Sequence, residues 1–422
     1  MELDFSEKFA KKMDRDDQLN SLRNLFYFPK FKNKDCIYFN GNSLGLQPKD
    51  SKLILNKEFE DWANMGVDGH FKAKTPWISY HKIFTNSISN LLGAKNEEVI
   101  VMNSLTVNLH LLFSSFYRPT KDRYKILCES NLFPSDRFVI ESQIKFHGFD
   151  IDDALIAVTP RKGEYIIREE DIVEKIKNNS GQISLVFLGG VNYYTGQVFD
   201  MQMISRYARK YGAKIGFDLA HAIGNVKLKL NEWGVDFAAW CSYKYLNSGP
   251  GNVGGAYINK KYHKKDLFRL AGWWGHKEKS RFKMGENFHP ILTAEAWQLS
   301  NAPIFGMSVH KVALDIFDEI GIEKLILKSK KLTNYLEYVI NLLFDESKKF
   351  NAKIITPSQS EKRGCQLSVL INHNADILFK NISNLGVKID YREPNVLRIA
   401  PVPLYNSFYD IYLFGEKLKL CL

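Results

Sequence analysis

The sequence predicts an α/β protein, with a mostly parallel sheet flanked by helices and a smaller α+β domain. Three observations carry that prediction. Six apolar runs of strand length recur between residues 99 and 258, helical patterns separate several of them, and long helices take over from about residue 302. Strands buried on both faces read as continuous apolar runs, and crossover helices between them imply parallel pairing.

The predicted strands of the sheet are Val99–Met102, Lys125–Cys128, Ser184–Leu188, Lys214–Phe217, Phe237–Cys241 and Gly255–Ile258. Helical spacing covers Asn108–Phe116 and Met201–Tyr211, then Ser308–Glu319 and Glu323–Leu343 on either side of a break at Gly321. Two shorter strands, Gln366–Leu370 and Val396–Ala400, and a helix over Ser407–Leu420 follow. This pattern places a large α/β domain over residues 55–300. The smaller domain takes residues 301–422, with the N-terminal arm of residues 1–54 packed against it.

Composition narrows the function. The 422 residues carry 58 Lys+Arg against 47 Asp+Glu, a net charge of +11, and are 45% hydrophobic and 13% aromatic. So many rings exclude intrinsic disorder, because burying them can offset the entropy of ordering the chain. Five scattered cysteines (Cys36, Cys128, Cys241, Cys365 and Cys421) lack the spacing of a zinc site and suit reduced thiols in a cytoplasmic protein. No apolar run reaches the ~18 residues of a membrane span, and the mixed-charge start does not read as a signal peptide. The densest basic stretches, Lys260–Lys265 and Lys328–Lys331, are short and belong to no nucleic-acid-binding motif. The expected partner is therefore a small anionic ligand rather than nucleic acid or membrane.

Two strand ends can carry chemistry. KIGFDLAHAIGN ends a strand at Asp218 and continues into a loop with His221, while DFAAWCSYKYLNSGPG runs a strand into Tyr243 and Lys244. Ligands of open parallel sheets bind beyond the carboxyl ends of the strands. Taken singly, Asp218 also suits a helix cap and Lys244 a lysine snorkelling to solvent. Together they suit pyridoxal phosphate, with the lysine forming a Schiff base and the carboxylate pairing with the pyridinium nitrogen. Ser104 and Thr106, at a helix start in VIVMNSLTVNLHLLF, can meet a phosphate or merely cap the helix. The GxGxxG match at Gly249–Gly254 precedes a strand-like run instead of a helix, so it reads as a turn. Cys241, in a strand run near the lysine, reads as packing rather than as a nucleophile.

Nine runs in register resemble kynureninase. They are FNGNSLGLQPK (39–49), NSLTVNLHLL (103–112), FPSD (133–136), YYTGQ (193–197), FDLAHAIGNV (217–226), WGVDFAAWCSYKYLNSGPG (233–251), GWWGH (272–276), RFKMG (281–285) and NVLRIAPVPLYNSF (395–408). The resemblance implies a homodimer of fold type I with a seven-stranded sheet, using pyridoxal 5'-phosphate to hydrolyse kynurenine or 3-hydroxykynurenine. It makes Lys244 the Schiff-base lysine, and Lys244 and Tyr243 the proton carriers. Asp218 becomes the partner of the ring nitrogen, Phe133 the stacking ring, and Pro134, Ser135 and Asp136 its companions. Leu105, Thr106 and Tyr243 would hold the phosphate, with His221 nearby and Trp273 and Asn301 arriving from the neighbouring subunit. Arg398 would clamp the substrate carboxylate, and Ser43, His70, Trp274 and Asn301 would face the aromatic end. One departure shows: Gly189 stands where many members carry a serine near the phosphate. A cysteine desulfurase shares the Asp–Lys logic but needs a reactive cysteine on a flexible loop. The one candidate, Cys365, reads as the start of a strand.

Overall fold

The computed structural model describes residues 3–422. Its main sheet has seven strands: β1 (Val99–Val101), β2 (Lys125–Glu129), β3 (Leu155–Val158), β4 (Ile183–Gly189), β5 (Lys214–Asp218), β6 (Phe237–Trp240) and β7 (Gly255–Ile258). They lie in the order β1-β7-β6-β5-β4-β2-β3. Strand β7 runs antiparallel to both its neighbours, and the pairs β6-β5, β5-β4, β4-β2 and β2-β3 are parallel. Consequently β1, β2, β4, β5 and β6 end on one edge of the sheet, where their following loops meet.

The centre of the sheet is as dry as its apolar runs imply. Leu185, Val186, Phe187 and Leu188 of β4, with Ile215 and Phe217 of β5, are fully buried. Burying each such side chain contributes roughly 1.5–3 kcal/mol relative to exposure. Helices Leu105–Phe116, Pro134–Phe146, Glu169–Asn178 and Met201–Lys210 follow β1, β2, β3 and β4 in the chain.

Sequence reading misses β3. Its pattern is half-buried, half-buried, exposed, buried, as expected of an edge strand covered less completely than the centre, so it has no continuous apolar run.

A second, antiparallel sheet comprises β8 (Ala352–Ile354), β9 (Leu367–Ile371), β10 (Asp390–Arg392) and β11 (Val396–Ile399), ordered β8-β9-β11-β10. The helices Ile322–Glu346 and Phe408–Lys419 share a separate apolar core with this sheet. Gly321, at φ +84°, separates Ile304–Ile320 from Ile322–Glu346. This is a conformation that glycine adopts at little cost. The N-terminal segment joins the second sheet's unit, because Ile37–Tyr38 pairs in parallel with Val387–Lys388.

Candidate active site

The strand-end loops of the main sheet enclose a cavity lined by Ser104, Leu105, Thr106, Glu129, Phe133, Ser135, Asp136, Gly189, Val191, Tyr193, Asp218, His221, Tyr243 and Lys244. Two helix N-termini open onto it. Leu105–Phe116 begins after Ser104, whose side chain makes no capping hydrogen bond, and Pro134–Phe146 begins after Phe133, with proline in its first turn. A proline there is suited to a position where no backbone donor is needed. The hydroxyls of Thr106 and Ser135 meet at 2.7 Å, joining the two helix ends. Unpaired N–H groups and helix dipoles make this corner a seat for an anion.

The floor is acidic. Asp218 closes β5, and one of its oxygens accepts the Ala220 N–H at 2.7 Å. Asp136 is buried beside it, with Oδ1 lacking a hydrogen-bond partner among the described residues. Burial, then the charge of Asp218, holds the Asp136 carboxyl well above the usual range. Burial also raises Asp218, while Lys244 pulls it back toward the ionised form. Burial followed by the nearby Lys244 and Arg398 charges keeps the His221 imidazole neutral, well below its ordinary value.

Lys244 follows β6, with Nζ 5.7 Å from the centre of the Phe133 ring. Its loop is fixed by close backbone approach. The Gly45 N–H donates to the Tyr243 carbonyl at 2.8 Å, and a Cβ on Gly45 would fall 2.3 Å from the Lys244 carbonyl oxygen. Only glycine fits there, which explains why the NSLGL turn carrying Ser43 belongs beside this loop. Tyr243 keeps its phenolic proton, because burial raises its pKa, assisted by the adjacent Cys241.

Arg398, on β11, is 1% exposed. Its Nε donates to Asp390 at 2.6 Å and its Nη1 to the Tyr193 carbonyl at 2.7 Å. The Tyr193 ring meets Phe133 edge-on at 5.3 Å, so the arginine sits behind a residue that lines the cavity.

Eleven of the singled-out residues thus line one cavity: Ser104, Leu105, Thr106, Phe133, Ser135, Asp136, Gly189, Asp218, His221, Tyr243 and Lys244. Pro134 belongs to the same helix start. Ser43, His70, Trp273, Trp274 and Asn301 do not line it. His70 Nδ1 donates to the Val67 carbonyl (3.0 Å), and the ring packs against Trp77. Trp273 is 49% exposed and donates to the Arg281 carbonyl, while Trp274 is buried under the Arg281 guanidinium at 4.4 Å. Asn301 is exposed, shortly before the helix Ile304–Ile320.

Sequence reasoning missed Glu129, Tyr193 and Asp390. Glu129 alone had a visible signal: it is the one charge ending the apolar run KILCE.

Chemically, the cavity offers a phosphate seat, an aromatic wall, a buried carboxylate pair and one amine. That set fits a flat heteroaromatic cofactor with a phosphate at one end and a protonated ring nitrogen over Asp218. The unpartnered Asp136 oxygen is a further sign that the floor is built for a ligand. Cys365 does not supply a second chemistry. Its thiol is fully buried and pushed up to about 12, immediately before β9.

Comparison with known proteins agrees with this geometry. Residues 325–418 match the family model of the kynureninase C-terminal domain, and residues 77–231 match that of the DegT/DnrJ/EryC1/StrS aminotransferase family. The chain is 51% identical over 413 residues to a kynureninase of Flavobacterium psychrophilum, covering 98% of this chain and 97% of the relative. It is 50% identical over 420 residues to one of Christiangramia forsetii, covering 99% of each. A kynureninase of the animal Nematostella vectensis is 43% identical over 434 residues, covering 98% of this chain and 93% of the relative. Among solved structures, an Escherichia coli cysteine desulfurase superposes with a TM-score of 0.77 at 13% identity, covering 96% and 98% of the two chains. A cystine lyase-type variant with glycine covalently linked to its PLP cofactor superposes at 0.76 and 13%, covering 91% and 96%. At such identities the structural likeness speaks for the fold alone.

Proposed function

The chain belongs to the kynureninase family, and from that premise we propose how its own residues carry the reaction. It is a pyridoxal-phosphate-dependent hydrolase that cleaves the Cβ–Cγ bond of L-kynurenine, its 3-hydroxy form or both, yielding L-alanine and the corresponding anthranilate. When bound, pyridoxal phosphate supplies covalent attachment for the substrate amine and a sink for electrons released at substrate carbon.

Leu105, Thr106, Ser135 and Tyr243 would hold its phosphate, Phe133 its ring face, Asp218 its ring nitrogen and Lys244 its aldehyde carbon. Lys244 Nζ then takes the proton from substrate Cα. Arg398 binds the substrate carboxylate with Nη2, since Nε and Nη1 are already committed to Asp390 and Tyr193. Water adds to the aryl ketone carbon, the Cβ–Cγ bond breaks with its electron pair passing to Cβ, and Tyr243 or Lys244 returns a proton to Cβ.

The single observation that carries this assignment is the pairing of β5 with β6. It brings the strand end at Asp218 beside the loop bearing Lys244, within reach of its charge. Lys244→Ala should lose the visible absorbance of the bound cofactor and all turnover. Arg398→Ala should keep the absorbance and raise KM by about tenfold or more, as loss of a charged hydrogen bond implies. A fully active Lys244→Ala, or an Arg398→Ala with unchanged KM, contradicts the respective role.

The organisation we propose is a large unit over residues 55–300 and a smaller one from residues 1–54 and 301–422, supported by their separate sheets, with the main sheet's core also taking in Leu22, Phe26, Leu46, Met307, Leu314 and Tyr405. Two copies would pair so that Trp273 and Asn301 complete the cavity of the other, with Ser43, His70 and Trp274 toward the substrate's aromatic end. The exposed aromatics Phe59, Trp62 and Phe305, packed on one another at 4.7–5.8 Å, support a covered face. Sedimentation as a dimer is the expected result, and a monomer with full activity would end that reading. Five free, buried cysteines support residence in the reducing cytoplasm.

A further inference from the structure

The segment after β4, residues 189–197, is where the two sheets are tied together. From the second sheet's side, three consecutive backbone carbonyls are gripped. Arg398 Nη1 donates to Tyr193 at 2.7 Å, Ser368 Oγ to Tyr194 at 2.6 Å and Thr356 Oγ1 to Thr195 at 2.5 Å. From the main sheet's side, the Asp218 carbonyl accepts the Gly190 N–H at 2.7 Å, Gln197 exchanges hydrogen bonds with the Ile167 backbone, and one carboxylate reaches both Gly189 and Asn192. Glu129, at the end of β2 and 3% exposed, accepts the Gly189 N–H at 2.8 Å on Oε1 and the Asn192 side-chain N–H at 2.5 Å on Oε2.

Asn192 relays that hold. Its side-chain oxygen accepts from the Tyr194 N–H at 3.0 Å, the Thr195 N–H at 2.9 Å and the Thr195 hydroxyl at 3.1 Å. Both ends of one buried amide are therefore spent on this joint. An unpaired carboxylate or amide at such depth is costly, so the arrangement has little freedom to slip.

We propose that Glu129 is a positioning residue for the substrate-carboxylate site: through Asn192 it fixes the loop whose Tyr193 carbonyl holds the Arg398 guanidinium in place behind the cavity wall. The inference rests on the role given to Arg398 above. Its geometry has a consequence for Gly189 as well. A Cβ there would come 3.0 Å from Glu129 Oε1, so the absence of a side chain at Gly189 leaves the carboxylate its place against the backbone N–H. Burial lifts the Glu129 carboxyl to about 7 even though the Asn192 and Gly189 donors pull it down.

The test uses the holoenzyme and L-alanine, a product that carries the carboxylate without the aryl ketone. Its dissociation constant is read from the change in cofactor absorbance, alongside bound cofactor per chain and the KM and kcat for kynurenine. Glu129→Gln keeps the shape but turns a donor toward a donor, and Asn192→Ala cuts the same relay from the loop side should the first variant fold poorly. Each should weaken L-alanine binding about tenfold and raise KM with little change in kcat or cofactor content. Neither should weaken binding further when combined with Arg398→Ala. Unchanged affinity, an effect that adds in full to that of Arg398→Ala, or loss of cofactor in place of loss of affinity would overturn the proposal. If Arg398→Ala alone leaves L-alanine binding intact, the arginine assignment itself fails, a result distinct from failure at Glu129.

Discussion

At the scale of residues, the cavity separates its titratable groups by environment. Asp218 has Lys244 to favour its charge, burial and the Asp218 charge raise the Asp136 carboxyl next to it, and burial lowers His221 well below its ordinary value. Burial raises the Tyr243 pKa and keeps the side chain a phenol, the form that the proposed proton donor needs. Tyr243→Phe should therefore lower kcat by about 10²-fold while leaving the cofactor spectrum in place; steady-state kinetics at saturating cofactor would check it, and an unchanged kcat would return the proton to Lys244 alone. Asp218 and Lys244 were legible as a pair, because each follows a continuous apolar strand and together they match the carboxylate and amine that pyridoxal phosphate needs. Tyr193 and Asp390 were not. Their roles come from a backbone carbonyl and from a contact between neighbouring strands of the second sheet, neither of which leaves a mark on residue type.

At the scale of elements, the helix Ile304–Ile320 contains an anomaly. His310 is fully buried, stacks on Phe84 at 5.4 Å, and neither ring nitrogen has a hydrogen-bond partner among the described residues. Burial lowers its pKa from 6.5 to about 3. Between those values the unfolded chain binds a proton that the folded chain refuses, so stability rises with pH through this window and is level above it. His310 should thus remove roughly 2 kcal/mol between pH 7 and pH 5. His310→Leu should abolish that loss, measured by urea unfolding at both pH values; equal pH dependence in variant and parent would contradict it. Element types followed from apolar spacing, but the predicted helix Asn108–Phe116 begins at Leu105. Its first turn faces the cavity instead of the core, so apolar spacing starts three residues late. The missed strand β3 reflects the same physics, since an edge needs less apolar surface than a centre.

At the scale of the molecule, the net charge of +11 is mostly spread over the surface, and the cavity itself holds one lysine with an arginine behind it. The sheet order brings residues from 104 to 244 to one edge, while β11 delivers Arg398 from the second sheet. Spacing along the chain indicated Ser104, Thr106, Asp218, His221, Tyr243 and Lys244, which follow predicted strands, whereas Leu105, Phe133, Ser135, Asp136 and Gly189 came only from the family resemblance. Spacing did not indicate how the second sheet attaches, which depends on the loop at 189–197 and on the hold of Glu129. The central claim is that this assembly cleaves kynurenine at Cβ–Cγ using Lys244. The direct measurement is to add L-kynurenine, 3-hydroxy-L-kynurenine and L-cysteine separately to the cofactor-loaded protein and to quantify L-alanine and the aromatic amine. Equimolar alanine and anthranilate or 3-hydroxyanthranilate, absent with Lys244→Ala, is the predicted result; alanine from cysteine alone, or product formation that survives Lys244→Ala, would contradict the account.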